Sequence, residues 1–147
     1  MNKEDTAEKI IEHVFTIFPL ISRELTRELR AKKNLSPGMM LLLKSLHHNN
    51  SLTMSEIGCK LSIPKPHTTV LVDRLIQEGL AERSYDERDR RIINIRLTNE
   101  GRAFYLDVKR AIGEKMRHYF LAMDDASLER MLLASALIRD TLTDMMG

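Results

Sequence analysis

The residues with the clearest chemical potential lie between Thr53 and Gly101. A loop of Asp86-Glu87-Arg88-Asp89-Arg90-Arg91 joins two short strand-like runs, Ala81-Glu82-Arg83-Ser84-Tyr85 and Ile92-Ile93-Asn94-Ile95-Arg96-Leu97. From Arg83 to Arg96 there are five arginines against Asp86, Glu87 and Asp89, and no lysine. A guanidinium is planar and weakly hydrated, which suits phosphates and narrow grooves. Just upstream, Ile63-Pro64-Lys65-Pro66-His67-Thr68-Thr69 opens a helix with small polar residues. Such a helix can enter a major groove while an arginine-tipped ribbon reaches the neighbouring minor groove. The chemistry on offer is the holding of a nucleic-acid duplex.

Other chemistries find little support. There is no Gly-rich phosphate loop, metal cluster or nucleophile–base pairing, so neither an enzyme nor a cofactor is expected. The five histidines, His13, His47, His48, His67 and His118, contain no His-x-x-x-His pair, so no metal site is expected. Cys59 is the single cysteine. It excludes an internal disulfide and has no resolving partner in its own chain, which favours an incidental role over oxidant sensing.

The totals fit a single domain of 147 residues, with 43% hydrophobic residues to form a core. At 30% charged residues, and with no apolar run near the roughly 18 of a membrane span, no membrane partner is expected. The N-terminus Met-Asn-Lys-Glu-Asp-Thr is polar and acidic, unlike a secretory signal, so a cytoplasmic location is expected. A net charge of +2 is a weak global signal for nucleic acid; the local arginine cluster carries the argument.

These residues need elements to hold them. Apolar positions Ile10, Ile11, Val14, Phe15, Phe18, Ile21, Leu25 and Leu29 predict a long first helix over 5–31, kinked but not ended by Pro19. Ser36-Pro37 starts a second helix running to about Leu46, with His47-His48-Asn49-Asn50 as a polar exit. Ser51-Leu52 can add a short strand to the ribbon. Thr53-Met54-Ser55-Glu56 is a capping box opening a short helix with Ile57 and Leu61 inward. After a turn at Ser62-Ile63, the duplex-reading helix runs to about Glu78 and stops at Gly79, with Leu71, Leu75 and Ile76 inward.

Thr98 caps a long helix to about Leu121, with Phe104, Val108, Ile112, Met116 and Phe120 inward. Asp124 caps the last helix, whose Leu128, Met131, Leu132, Leu137, Ile138, Leu142 and Met145 make a broad apolar surface. The terminal helices carry more apolar surface than one thin layer can bury. The simplest cover is a second copy in a symmetric homodimer, whose two heads would match two DNA half-sites.

The chain resembles the MarR family of winged helix-turn-helix transcriptional regulators over nearly its whole length. The matching residues are Leu35-Ser36-Pro37, Ser55-Glu56-Ile57, Leu71-Val72-Asp73-Arg74-Leu75, Glu78-Gly79-Leu80, Asp89-Arg90-Arg91 and Leu97-Thr98-Asn99-Glu100-Gly101. The Asp-Arg-Arg tip, followed by Leu-Thr-x-x-Gly, is the most specific of them.

The resemblance implies a mainly α fold with a small β-ribbon, in one domain spanning 1–147. A winged helix-turn-helix DNA-binding lobe (about 36–98) would be carried by N- and C-terminal dimerisation helices (1–35 and 99–147). It implies an obligate dimer on pseudo-palindromic double-stranded operator DNA, acting as a repressor released by a small effector of unknown identity. In the family the effector pocket lies near the first, second and fifth helices.

By the same resemblance, Lys65, Pro66, His67, Thr68 and Thr69 approach bases and phosphates, with Thr68 near the edge of the exposed face. Arg90 and Arg91 become the minor-groove candidates, Arg91 first. Arg88 adds a phosphate contact, and Asp89 steers an arginine because a carboxylate is repelled by DNA. Arg74 either touches phosphate or pairs with Asp73 or a wing acid. Ser36 caps its helix first and contacts phosphate second. Val70 departs from the polar or basic residue common at its place; it cannot donate to guanine but could pack on a thymine methyl. The alternative function is a winged-helix protein–protein assembly module without specific DNA recognition, which would have no need of the arginine tip.

Overall fold

Local polar chemistry fixes where the helices begin. In a computed structural model, which describes residues 2–146, Asn2 accepts from the Asp5 amide and Asp5 returns the bond, opening α1 (Lys3–Lys33). Ser36 caps α2 (Pro37–Asn49) through the Met39 amide, with proline at the first helical position. The Thr53–Glu56 box is reciprocal as read, and opens α3 (Met54–Leu61). The Thr53 amide and hydroxyl together hold the Glu56 carboxyl below the ordinary glutamate range.

The remaining elements are β1 (Ser51–Thr53), α4 (Lys65–Gln77), β2 (Ala81–Tyr85), β3 (Ile93–Leu97), α5 (Asn99–Leu121) and α6 (Asp125–Met146). The chain is mainly helical with one small antiparallel sheet, in the order β1-β3-β2. Pro19 lies inside α1 without ending it. The second helix runs three residues past Leu46, because His47 packs its ring on Tyr105 at 4.8 Å and so belongs to the helix rather than to an exit loop. The strand after the tip starts at Ile93, since Ile92 still belongs to the turn: its amide donates to the Asp89 carbonyl.

The chain forms two compact units, one ending at Arg110 and the other beginning at Ala111. In the first, Leu29, Leu35, Leu42, Leu43, Leu46, Ile57, Val72, Leu75, Leu80, Ile95 and Val108 are buried. Removing each such side chain from water is worth about 1.5–3 kcal/mol, so this unit has a real core. Lys32 pairs with Asp107 and Lys33 with Glu100, tying the end of α1 to the start of α5. On α5 the buried residues are Gly101, Tyr105 and Val108, at helical spacing. Of the inward set read from the sequence only Val108 is buried; Phe104, Ile112, Met116 and Phe120 are half-buried. The seam is displaced because Tyr105 stacks on His47 and Gly101 is pressed on the backbone of Leu80.

The ends of the chain look different. Every described residue up to Ile21 is exposed, including Phe15 and Phe18 at 77% and 68%. The second unit holds the rest of α5 and α6, and none of the described side chains of α6 is buried. Leu132, Leu133, Leu137, Ile138 and Leu142 lie open on α6. Among the described residues no helix is long and apolar enough to cross a membrane.

Candidate nucleic-acid interface

The helix-turn-helix is closed by backbone chemistry. Ser62 ends α3 in the left-handed region (φ 52°), and the Ile63 amide donates back to the Gly58 carbonyl. Pro64 then caps α4 from an extended backbone, without a side-chain bond. Pro66 falls in the first turn, where its missing donor does little harm.

On α4 the buried seam is Thr68, Val72 and Leu75, spaced i, i+4, i+7. Leu71 and Ile76, read as inward, are only half-buried. Thr68 corrects the sequence reading more seriously. It is 1% exposed, and its hydroxyl donates to the Pro64 carbonyl at 3.2 Å. A Cβ on Gly58 would lie 3.3 Å from its oxygen. Thr68 therefore packs α4 on α3 and cannot reach DNA. Lys65, Pro66 and His67 are exposed, and Thr69 is half-buried with its hydroxyl donated to Lys65.

Arg74 does not pair with Asp73 or with an acid of the ribbon. It pairs with Glu78 one turn on, at 2.7 Å. Asp73 pairs instead with Arg83 of β2, pinning the ribbon to the reading helix. The physical reason is reach: an i,i+4 acid lies on the same helical face as Arg74, while Asp73 is on the side next to β2. Ser36 is an exposed cap, as read.

The ribbon register sets Ala81 opposite Leu97, Glu82 opposite Arg96, Arg83 opposite Ile95 and Tyr85 opposite Ile93. Its tip is organised by its own acids. The Asp86 carboxylate accepts from the amides of Arg88 (2.9 Å) and Asp89 (3.0 Å). The Asp89 carboxylate accepts from the Arg91 amide at 3.0 Å and from its guanidinium at 3.1 and 3.3 Å. That guanidinium, and after it the Arg91 amide, holds the Asp89 carboxyl below the ordinary aspartate range. Arg96 pairs with its cross-strand neighbour Glu82. Among the described residues Arg88 and Arg90 have no carboxylate partner.

The base of the ribbon explains the Leu-Thr-x-x-Gly motif. Leu97 is buried; the Thr98 hydroxyl donates to the Gly79 carbonyl at 2.6 Å and accepts from the Gly101 amide at 2.9 Å. Gly79 has φ +72°, the left-handed conformation that ends α4. A Cβ at Gly101 would run into the Leu80 carbonyl, so only glycine fits. The motif thus welds the reading helix, the ribbon and α5 together.

Comparison with known proteins agrees with this geometry. Residues 35–93 match the MarR family model. The HTH-type transcriptional repressor MdtR of Bacillus subtilis (strain 168) is 33% identical over 85 residues, 58% of this chain and 54% of that one. The chain thus spans about half the length of that relative. A MarR family protein from Bacillus stearothermophilus has the same fold, with a TM-score of 0.83 at 22% identity over 100% of this chain and 99% of that one. So does Streptococcus pneumoniae FabT, solved in complex with DNA, with a TM-score of 0.73 at 22% identity over 95% and 99%. With its helix-turn-helix, arginine-tipped ribbon and glycine-welded base, the chain has the winged helix-turn-helix fold, and its residues 35–93 match the MarR family of transcriptional regulators.

Proposed function

We propose that the protein is a sequence-specific double-stranded-DNA-binding regulator that acts as a homodimeric repressor in the cytoplasm. The observation that carries this is the tip of the ribbon, where Arg88 and Arg90 have no carboxylate partner among the described residues and the loop's backbone is fixed by Asp86 and Asp89. A preorganised cation loses no partner on meeting a phosphate or a narrow groove.

Each protomer lays the start of α4 in a major groove and its tip in the adjoining minor groove. Lys65, His67 and Thr69 face base edges and phosphates, with Pro66 between them. Arg91, in the orientation that Asp89 sets, leads into the minor groove with Arg90 beside it, and Arg88 takes phosphate. The reading lobe is about 36–98, and the helices on either side of it, 1–35 and 99–147, build the dimer. The exposed apolar side chains of α1 and α6 supply the surface that a second copy covers. Two heads then meet half-sites about 34 Å apart. A small amphipathic effector releases DNA by binding preferentially to one head spacing, a shift of population that needs differential affinity. That FabT was solved with DNA supports this reading.

The test is a gel shift of the protein on the intergenic DNA upstream of its own coding sequence, against an unrelated duplex, at two salt concentrations. The expected result is selective binding that an Arg90→Ala/Arg91→Ala variant loses. Equal, weak and strongly salt-sensitive binding to both duplexes would reject sequence-specific regulation through this DNA.

A further inference from the structure

The side of α4 that faces away from the core is poor in groups able to read bases by hydrogen bonding. Opposite the seam of Thr68, Val72 and Leu75, a helical repeat of 3.6 residues places Pro66, Val70 and Gln77. Gln77 is the last residue of the helix, which leaves Pro66 and Val70, one turn apart, as the centre of the strip. Val70 is 64% exposed. Its helical neighbours do not screen it: Asp73 is held by Arg83, Arg74 by Glu78, and the Thr69 hydroxyl by Lys65.

A valine pressed on a base edge strips water from whatever it covers. Against the acceptors of guanine or adenine, or the amine of cytosine, nothing replaces that water, and the uncompensated loss opposes binding. Thymine alone offers an apolar group in the major groove, its C5 methyl. We infer that Val70, backed by Pro66, is a specificity residue that selects a thymine in each half-site through its methyl group. This rests on the DNA-binding reading above. The hydrogen-bonding contribution to specificity then falls to Lys65 and His67 at the start of the helix, beside this apolar strip.

The experiment selects bound duplexes from a random-sequence pool with the full-length protein. In the enriched duplex each thymine is then replaced singly by deoxyuracil, which removes only the methyl. For one thymine per half-site, replacement should weaken wild-type binding about fourfold, the worth of one buried methyl group. With a Val70→Ala variant the same replacement should have almost no effect, while unchanged thermal melting shows that the exposed substitution leaves the fold intact. If every deoxyuracil penalty is the same for wild type and variant, the Val70 inference is overturned and the regulator reading stands. If no sequence is enriched at all, both fall.

Discussion

The stem and the tip of the β2–β3 ribbon use the same residue type for opposite purposes. In the stem, Arg83 reaches across to Asp73 of the reading helix and Arg96 pairs with Glu82 on the facing strand. At the tip, the acids bind backbone amides and one arginine, and Arg88 and Arg90 are left over. Five arginines in the ribbon are therefore not five contacts for a polyanion. A stem arginine must give up a carboxylate before it can meet a phosphate; a tip arginine gives up only water. The tip can be cationic because the stem's charge is already satisfied and its geometry fixed.

The comparison depends first on a rigid base, and the largest effect is expected there. A Gly101→Ala substitution puts a methyl group against the carbonyl of Leu80, which is fully buried. Backbone cannot rotate away as a side chain can. The loss should lie at or beyond the upper end of the roughly 1–3 kcal/mol usual for overpacking. Urea or thermal unfolding measures it. A variant as stable as the wild type would mean that the base yields, and that the stem does not hold the tip in one place.

A smaller effect separates stem from tip directly. Arg90→Ala should lower affinity for a selected duplex about tenfold, reduce the slope of log affinity against log salt by about one, and leave stability unchanged. Arg96→Ala should do the reverse. Its ion pair is half-exposed, so the loss of stability should be at most about 1 kcal/mol, with little change in the salt slope. Salt-series binding and thermal melts on the two variants measure both. Equal loss of affinity in the two would erase the distinction.

Most of the scaffold was legible in the sequence because its signals are local. The Thr53–Glu56 box, Ser36-Pro37, and Gly79 after α4 each act within a few residues. What the sequence hid depends on contacts distant along the chain. Thr68 looks like a polar residue on a DNA-facing turn, yet Gly58, ten residues earlier, draws it into the seam between α3 and α4. A small residue one turn into the preceding helix was the available signal. Arg74 had an acid four residues on, at Glu78, which periodicity alone could have paired. The seam of α5 was misplaced by one residue at its start because Tyr105 and Gly101 answer to His47 and Leu80, which the helix's own pattern does not reveal. Which arginines stay free was least legible of all, since that turns on partners across the sheet.

The smallest effect tests where the boundary between held and free arginines falls. Arg91 lies at the tip but is bonded twice by side chain and once by amide to Asp89, so it behaves partly as a stem residue. Those bonds favour the carboxylate over the acid, which is why the Asp89 carboxyl sits below the ordinary aspartate range. With the folded value depressed, the pairing supports the tip in full above the ordinary range. It is lost only as pH falls through the lowered value, so tip order and DNA binding should not respond to Asp89 near neutrality. Carbon NMR of the Asp89 carboxyl should show a midpoint below that of a peptide aspartate, moving back up in an Arg91→Ala variant. An Asp89 midpoint at the ordinary value, unmoved by that substitution, would mean that Arg91 is as free as Arg90. The tip would then present three unpaired guanidiniums, and the salt slope of the wild type would have to be steeper by about one than two free arginines explain.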